Sequence, residues 1–507
     1  MVSYRRLAMR VLGHVPVLFG KKKASPPPRI AAQRIAALAL ACAMMTGMAL
    51  PAFAGTYDIV SGSIDIRATE NGNLISQWKW NDENKKEYVS DSDGDIKDRP
   101  DNEITITGTS YGNTVTIDAE QGTTAKVTLD NVEINASSTG QAAVDVTGSG
   151  NTNIELNGKN TLTGDSGHAG LEHNKETDAE GNETSGKLTI TDENKDGGTL
   201  TATGGYGGAG IGGGDGKDGQ VTITGGEITA KATGNYGAGI GGGSGGDGTV
   251  TISGGTITEA SGGYMAAGIG SGHQGLGTVT IEGDAVIKKA QGGEGGAGIG
   301  SGLQGKGTVT IEGDAVIKNA QGGEEGAGIG GGVYGTGDVT IEGNVTIQNA
   351  QGGMGAAGIG GGAESEPDVD GNGNETGNTI SIQGTEAGSP NITAKGGTAS
   401  DDGLLSGGAA IGSGSVTSEQ KKAKAAITIE GKVTIDATAG GKLADKDAIA
   451  IGDTPLKEQK FAGLPVGAVI KRWDSAGVDL TLEGDKPTEP EKPEKPDPEK
   501  PEKPDPE

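Results

Sequence analysis

The chain has one cysteine in 507 residues, Cys42. It lies in an apolar run near the N-terminus that has the features of an export leader, so the mature chain is free of disulfides. Its stability must come from packing and hydrogen bonds, even in an oxidising compartment. Lipid attachment at Cys42 is disfavoured, because Ala39-Leu40-Ala41 is a poor acylation box and apolar residues continue past it. Aromatic residues are only 3% of the chain, which leaves Val, Ile, Leu and Ala to build any core. Basic surface is also lacking. The formal charge is −27, which argues against nucleic acid as a partner, since phosphates call for clustered Lys and Arg. There are four histidines in all and no arginine between Arg99 and Arg472. That scarcity removes most nucleophilic schemes and the basic group that a polysaccharide lyase uses to abstract a proton.

What the chain does have is glycine, 99 residues of it, against a usual share of about 7%. Such a composition without a period would indicate disorder, so the period decides the class. The run GAGIGSGLQGKGTVTIEGDAVIKNAQGG, residues 296–323, has close copies about thirty residues before and after it. Three apolar runs recur in each copy. Ala-Gly-Ile-Gly places its Ile at 211, 240, 269, 299, 329 and 359. Val-Thr-Ile places its Ile at 223, 252, 281, 311 and 341, and a third run is centred on Ile228, Ile257, Ile287, Ile317 and Ile347. Looser copies follow at Ile382, Ile411, Ile429 and Ile451.

Each run is short, alternating and rich in β-branched residues, which indicates a strand, and Gly-Gly and Gly-Asp pairs mark the turns. Three strands and three turns per 30 or so residues make one coil of a parallel β-helix. One coil cannot bury its own inner face, so only a stack is stable. The expected fold is all-β, a parallel β-helix with an N-terminal signal and a C-terminal Pro-rich tail, whose right hand is what the family resemblance given below implies.

The organisation follows. Residues 1–54 form a signal peptide, with Arg5, Arg6, Arg10, Lys21 to Lys23, Arg29 and Arg34 before an apolar stretch at 35–50. Ala52-Phe53-Ala54 sets small residues where a signal peptidase reads, placing the cut between Ala54 and Gly55. The apolar stretch is too short for a membrane span, so the mature chain is expected to be secreted and extracellular or displayed on a cell surface. Residues 55–101 read as an N-terminal cap, 102–456 as the solenoid and 457–485 as a C-terminal cap with Phe461 and Trp473. Residues 486–507, KPTEPEKPEKPDPEKPEKPDPE, form an extended spacer of roughly 70 Å, suited to cell-wall attachment through an anchor beyond it.

The runs VTLDNVEINA, NTNIELNGKNTL, AGLEHN, GKLTIT, GTLTATGG and AGIGGG, between residues 102 and 453, resemble bacterial cell-surface carbohydrate-binding domain-containing proteins. The resemblance implies a right-handed parallel β-helix that binds plant-type polysaccharide with calcium. It brings no individual calcium ligands, because no short diagnostic motif aligns residue by residue.

The residues themselves offer several candidate sites. Tyr206, Tyr236 and Tyr264 each precede an Ala-Gly-Ile-Gly, and aromatic faces suit sugar rings. A packing ladder of tyrosines is the structural alternative. DVDGNG opens like a calcium loop with Asp368, Asp370 and Asn372 at alternate places, but Thr379 stands where the closing Glu belongs. Gly-Gly-x-Gly-x-Asp pieces end at Asp218 and Asp247 and echo calcium-binding β-roll repeats, though once per coil. At each of these places taken alone, a solvated acidic turn is the preferred reading. Glu282, Glu312 and Glu342 should stack on one outer face, with Lys288 and Lys318 near enough to offset their charge. His168 and His273, in SGHAG and SGHQG, read as solvated turn residues, since neither has the second Gly of a polygalacturonase-like Gly-His-Gly. Three functions remain in order of preference: a polysaccharide-binding surface protein with plant or host glycan as partner and calcium as candidate ion, an adhesive or structural stalk, and a polysaccharide lyase or hydrolase.

Overall fold

A computed structural model of the chain describes residues 54–481, except 82, 235, 370–374, 386–387, 418–422, 443–449 and 453–467. The expected leader before Ala54, residues 457–467 of the expected C-terminal cap and the expected spacer 486–507 lie outside the described residues.

The described chain winds as a right-handed parallel β-helix with three strands in each regular coil. The first is the Ile-Gly pair, such as Ile269–Gly270, Ile299–Gly300 and Ile329–Gly330. The second is Gly-Thr-Val-Thr-Ile, such as Gly277–Ile281 and Gly307–Ile311. The third is Thr256–Ser261 in one coil, and in the next it splits into Val286–Ile287 and Ala290–Gln291. Register is exact from coil to coil: Ile269 pairs with Ile299 and Ile299 with Ile329. On the second face Gly277, Thr278, Val279, Thr280 and Ile281 pair with Gly307 through Ile311 in order.

The alternation Val-Thr-Ile decides which side chains enter. Val279 and Ile281 are buried while Thr280 stands between them facing outward. Ile299, Ile311 and Ile317 of a single coil are each 0% exposed. Burial of each such side chain is worth about 1.5–3 kcal/mol, and a stack of identical rungs shares one continuous core. The alanine before each Ile-Gly, for example Ala297 and Ala327, is equally buried.

The first rung begins early, inside the stretch expected as a cap. Thr56–Asp58 pairs in parallel with Ile104–Ser110, and Ser63–Thr69 with Val115–Ala119. The capping element is the strand Gly72–Trp80, which lies antiparallel on Ser63–Thr69. Trp78 Nε1 donates to Asp65 at 2.8 Å and Lys86 sits 3.8 Å from its ring centre. At the other end Val469–Trp473 adds a rung to Thr434–Thr438. Among the described residues no helix is long and apolar enough to cross a membrane.

A candidate ligand-binding edge

Each Ile-Gly strand is flanked by two glycine-rich loops, one entering it and one leaving it. Within a coil the two legs are tied at the base: Ala297 N donates to Ser301 O at 2.9 Å. Between coils the leaving loop donates to the entering loop of the coil before. Ser244 N reaches Gly207 O (2.7 Å), His273 N reaches Tyr236 O (3.0 Å), Leu303 N reaches Met265 O (2.9 Å) and Val333 N reaches Gly295 O (2.9 Å). The loops therefore zip into one edge running along the solenoid, and they cover the strand glycines. Gly270 and Gly300 have φ of +134° and +136°, and a Cβ on either would collide with the next coil's glycine carbonyl. Only glycine fits there.

The fifth residue after each of these isoleucines has a left-handed backbone in six consecutive coils. It is Gly216 and Gly245 first, at φ +70° and +73°. Gln274, Gln304, Tyr334 and Glu364 follow at +63°, +60°, +62° and +56°. A non-glycine residue costs roughly 1–2 kcal/mol in this conformation, so four coils carry side chains where two others use glycine at lower cost. Gln274 Nε2 donates to Gln304 Oε1 at 2.8 Å, making an amide ladder. Tyr334 is 39% exposed, and its hydrogen bond to Glu364 raises the phenol from its ordinary range.

The entering loops supply the other half of the edge. Tyr206 and Tyr264 occupy the same place, five residues before Ile211 and Ile269, and are exposed. Tyr264 Oη donates to Glu294 at 2.9 Å, and that carboxylate raises the phenol. Glu294 and Glu324 continue the column in the next coils. Glu325 beside it is raised by burial first, then by Glu364, Glu324 and Glu294. Tyr236 does not join the track. It sits four residues before Ile240 rather than five, has φ +89°, and turns its ring to His273 at 5.1 Å between centres. His273 is correspondingly part-buried, and burial lowers its basicity.

The acidic candidates have structural partners. Asp218 Oδ1 accepts from Asp247 N at 2.8 Å, and Asp247 Oδ1 accepts from Leu276 N at 2.7 Å. Each carboxylate thus ties its coil to the next. Asp368 lies in a short antiparallel ribbon, paired with Thr376. Asp370 and Asn372 lie outside the described residues. Among the described residues no three His, Cys, Asp or Glu side chains converge as metal ligands would. Lys288 reaches Glu227, two coils away, at 3.4 Å rather than the Glu282 ladder.

One cluster escaped the sequence reading. Where later coils have the strand glycine, one coil has Glu172, which pairs with Gly212 on one side and Asp145 on the other. Glu172 is 5% exposed. Its Oε2 accepts from Ala169 N (2.9 Å) and lies 3.0 Å from His168 Nδ1, and its Oε1 accepts from Asn174 Nδ2 (2.8 Å). His168 is therefore not a solvated turn residue but a partner of a buried carboxylate. Burial, then the charge of Glu172, pushes Asp145 up to about 6, with His168 pulling the other way. Asp145 therefore keeps its proton to higher pH than an ordinary carboxylate. The signal was visible as LEHN in place of Ile-Gly-Gly-Gly.

A family model for the beta helix repeat matches residues 196–215, 221–244, 250–273 and 309–333. No curated protein and no solved structure matches the chain.

Proposed function

We propose that the protein is secreted, displayed at a surface, and binds a polysaccharide along the loop edge that carries Tyr206, Tyr264 and Tyr334. The observation that carries this is the row Gln274, Gln304, Tyr334 and Glu364. These coils accept a strained backbone in order to present an amide, a phenol ring and a carboxylate at one place. Such groups are what a sugar requires: hydrogen-bond partners for hydroxyls and an aromatic face for the apolar C–H side of the ring. Spacing supports a polymer over a single sugar. Tyr206 and Tyr264 are two coils apart, about 9.6 Å at the usual strand separation, so the edge repeats as the ligand would. The N-terminal leader and the Pro-rich tract support export and display.

The proposal is tested on a glycan array, run with calcium and again with a chelator. Retention on one class of polysaccharide is expected, and the combined variant Tyr264→Ala with Tyr334→Ala should weaken it with an unchanged circular dichroism spectrum. Retention lost only in chelator assigns calcium to the contact. No retention under either condition overturns the proposal in favour of a stalk. Release of reducing ends from a retained glycan would favour hydrolysis instead.

A further inference from the structure

Asp101 is 2% exposed and accepts three hydrogen bonds. Its Oδ1 takes Glu103 N at 3.0 Å, and its Oδ2 takes Tyr57 Oη at 2.9 Å and Gly55 N at 2.8 Å. No ion pair of Asp101 occurs among the described residues. Arg99 is nearby, but its guanidinium is held by both oxygens of Asp91, at 2.5 and 2.9 Å. A buried carboxylate with donors but no countercharge is costly, and an added cation in contact with it would be stabilising.

Gly55 is fixed on both sides. Its carbonyl accepts from Thr105 N at 2.9 Å, in line with the pairing of Thr56 to Thr105. Its nitrogen points at Asp101, and a Cβ at this position would run into Asp101 and the Tyr57 ring. Ala54, immediately before it, is exposed. Gly55 N lies at a cleft of about 600 Å³ lined also by Asp91, Asp93, Arg99 and Asp101. Three carboxylates against one guanidinium leave that cleft short of positive charge.

We infer that hydrolysis of the Ala54–Gly55 bond creates the missing cation: the freed α-ammonium of Gly55 pairs with buried Asp101 and fastens the first rung of the solenoid. The peptide C–N bond breaks and water supplies a hydroxyl to the Ala54 carbonyl carbon, which leaves as a carboxylate. The nitrogen gains two protons, one from that water and one from the new carboxyl group, and becomes an ammonium. The agent is an endopeptidase that reads small side chains one and three places before the cut, here Ala54 and Ala52. In the uncut chain the same nitrogen is a neutral amide donor. That contact is already charge-assisted through the carboxylate, and the cut puts the opposite charge on the donor, which makes it an ion pair. Processing and completion of the fold are thereby coupled at one atom, independently of any glycan contact.

The test uses the full chain, exported from a bacterial host and purified from outside the cell. Mass spectrometry should find Gly55 as the first residue, and a different first residue overturns the inference. The α-amine of that product is then acylated with a limiting amine reagent at neutral pH. It should react at least tenfold more slowly than the α-amine of Asp101→Asn. A second variant carries one extra Ala inserted before Gly55, which displaces the amine without touching Asp101. Its amine should react at the fast rate. Equal rates in the wild type and the insertion variant contradict the ion pair.

Discussion

The carbonyl oxygen of Gly300 stands where a Cβ on Gly270 would have to go. The same relation holds between Gly300 and Gly330, and between Gly330 and Gly360. It explains why the Ile-Gly step is kept through these coils: positive φ and close backbone approach act at one position. Gly270→Ala should therefore cost roughly 2–4 kcal/mol, combining strain with overpacking. Gly216→Ala, also at positive φ but facing open space, should cost about 1–2 kcal/mol. Urea midpoints of the two variants give the comparison, and equal losses would remove the steric argument.

Asp247 accepts the Leu276 amide and so joins two coils. Asp247→Asn keeps an oxygen acceptor and should melt close to the wild type. Asp247→Ala removes that acceptor, which water can replace because the contact is exposed, and should lose about 0.5–1.5 kcal/mol. Thermal unfolding with and without calcium separates this structural role from a metal role. A wild type stabilised by calcium beside an Asp247→Asn unaffected by it would show that the carboxylate serves an ion.

Asp145 gives a pH dependence of definite sign. Its folded value, about 6, lies above its ordinary 3.8 because of burial, then the charge of Glu172, with His168 opposing. The contribution of its protonated form is fully present below about pH 4 and is lost as pH rises through 6. Asp145→Asn removes that loss. Its stability relative to the wild type should be near zero at pH 3.5 and rise to on the order of 3 kcal/mol by pH 8. Denaturant titrations at the two pH values check this, and a flat difference would mean that burial and the Glu172 charge do not hold the proton on Asp145.

The fold was legible because its core is written in phase. Ile269, Ile299 and Ile329 recur in sequence where they pair in space, and glycine pairs mark the corners. The edge was legible only in part. Tyr206 and Tyr264 share a column, but Tyr236 stands in a loop one residue out of step, and one residue is enough to turn it onto His273. Gln274, Gln304, Tyr334 and Glu364 were an unremarked column of dissimilar residues. Only the backbone reveals that they share a left-handed conformation, which cross-coil hydrogen bonds impose. Asp218 and Asp247 looked like ion ligands because spacing alone does not say that their oxygens already hold amides. Glu172 was hidden for a related reason: burying a carboxylate depends on donors from Ala169, His168 and Asn174 meeting at one point.

The claim that a repeating edge engages a repeating polymer is tested most directly by affinity against oligosaccharide length. From the rung of Tyr206 to that of Tyr334 there are four steps, about 19 Å. With oligomers of the retained glycan, binding measured by calorimetry should strengthen with each added sugar until the ligand spans that distance, and then level off. A monosaccharide that binds as tightly as the longest oligomer would contradict the account.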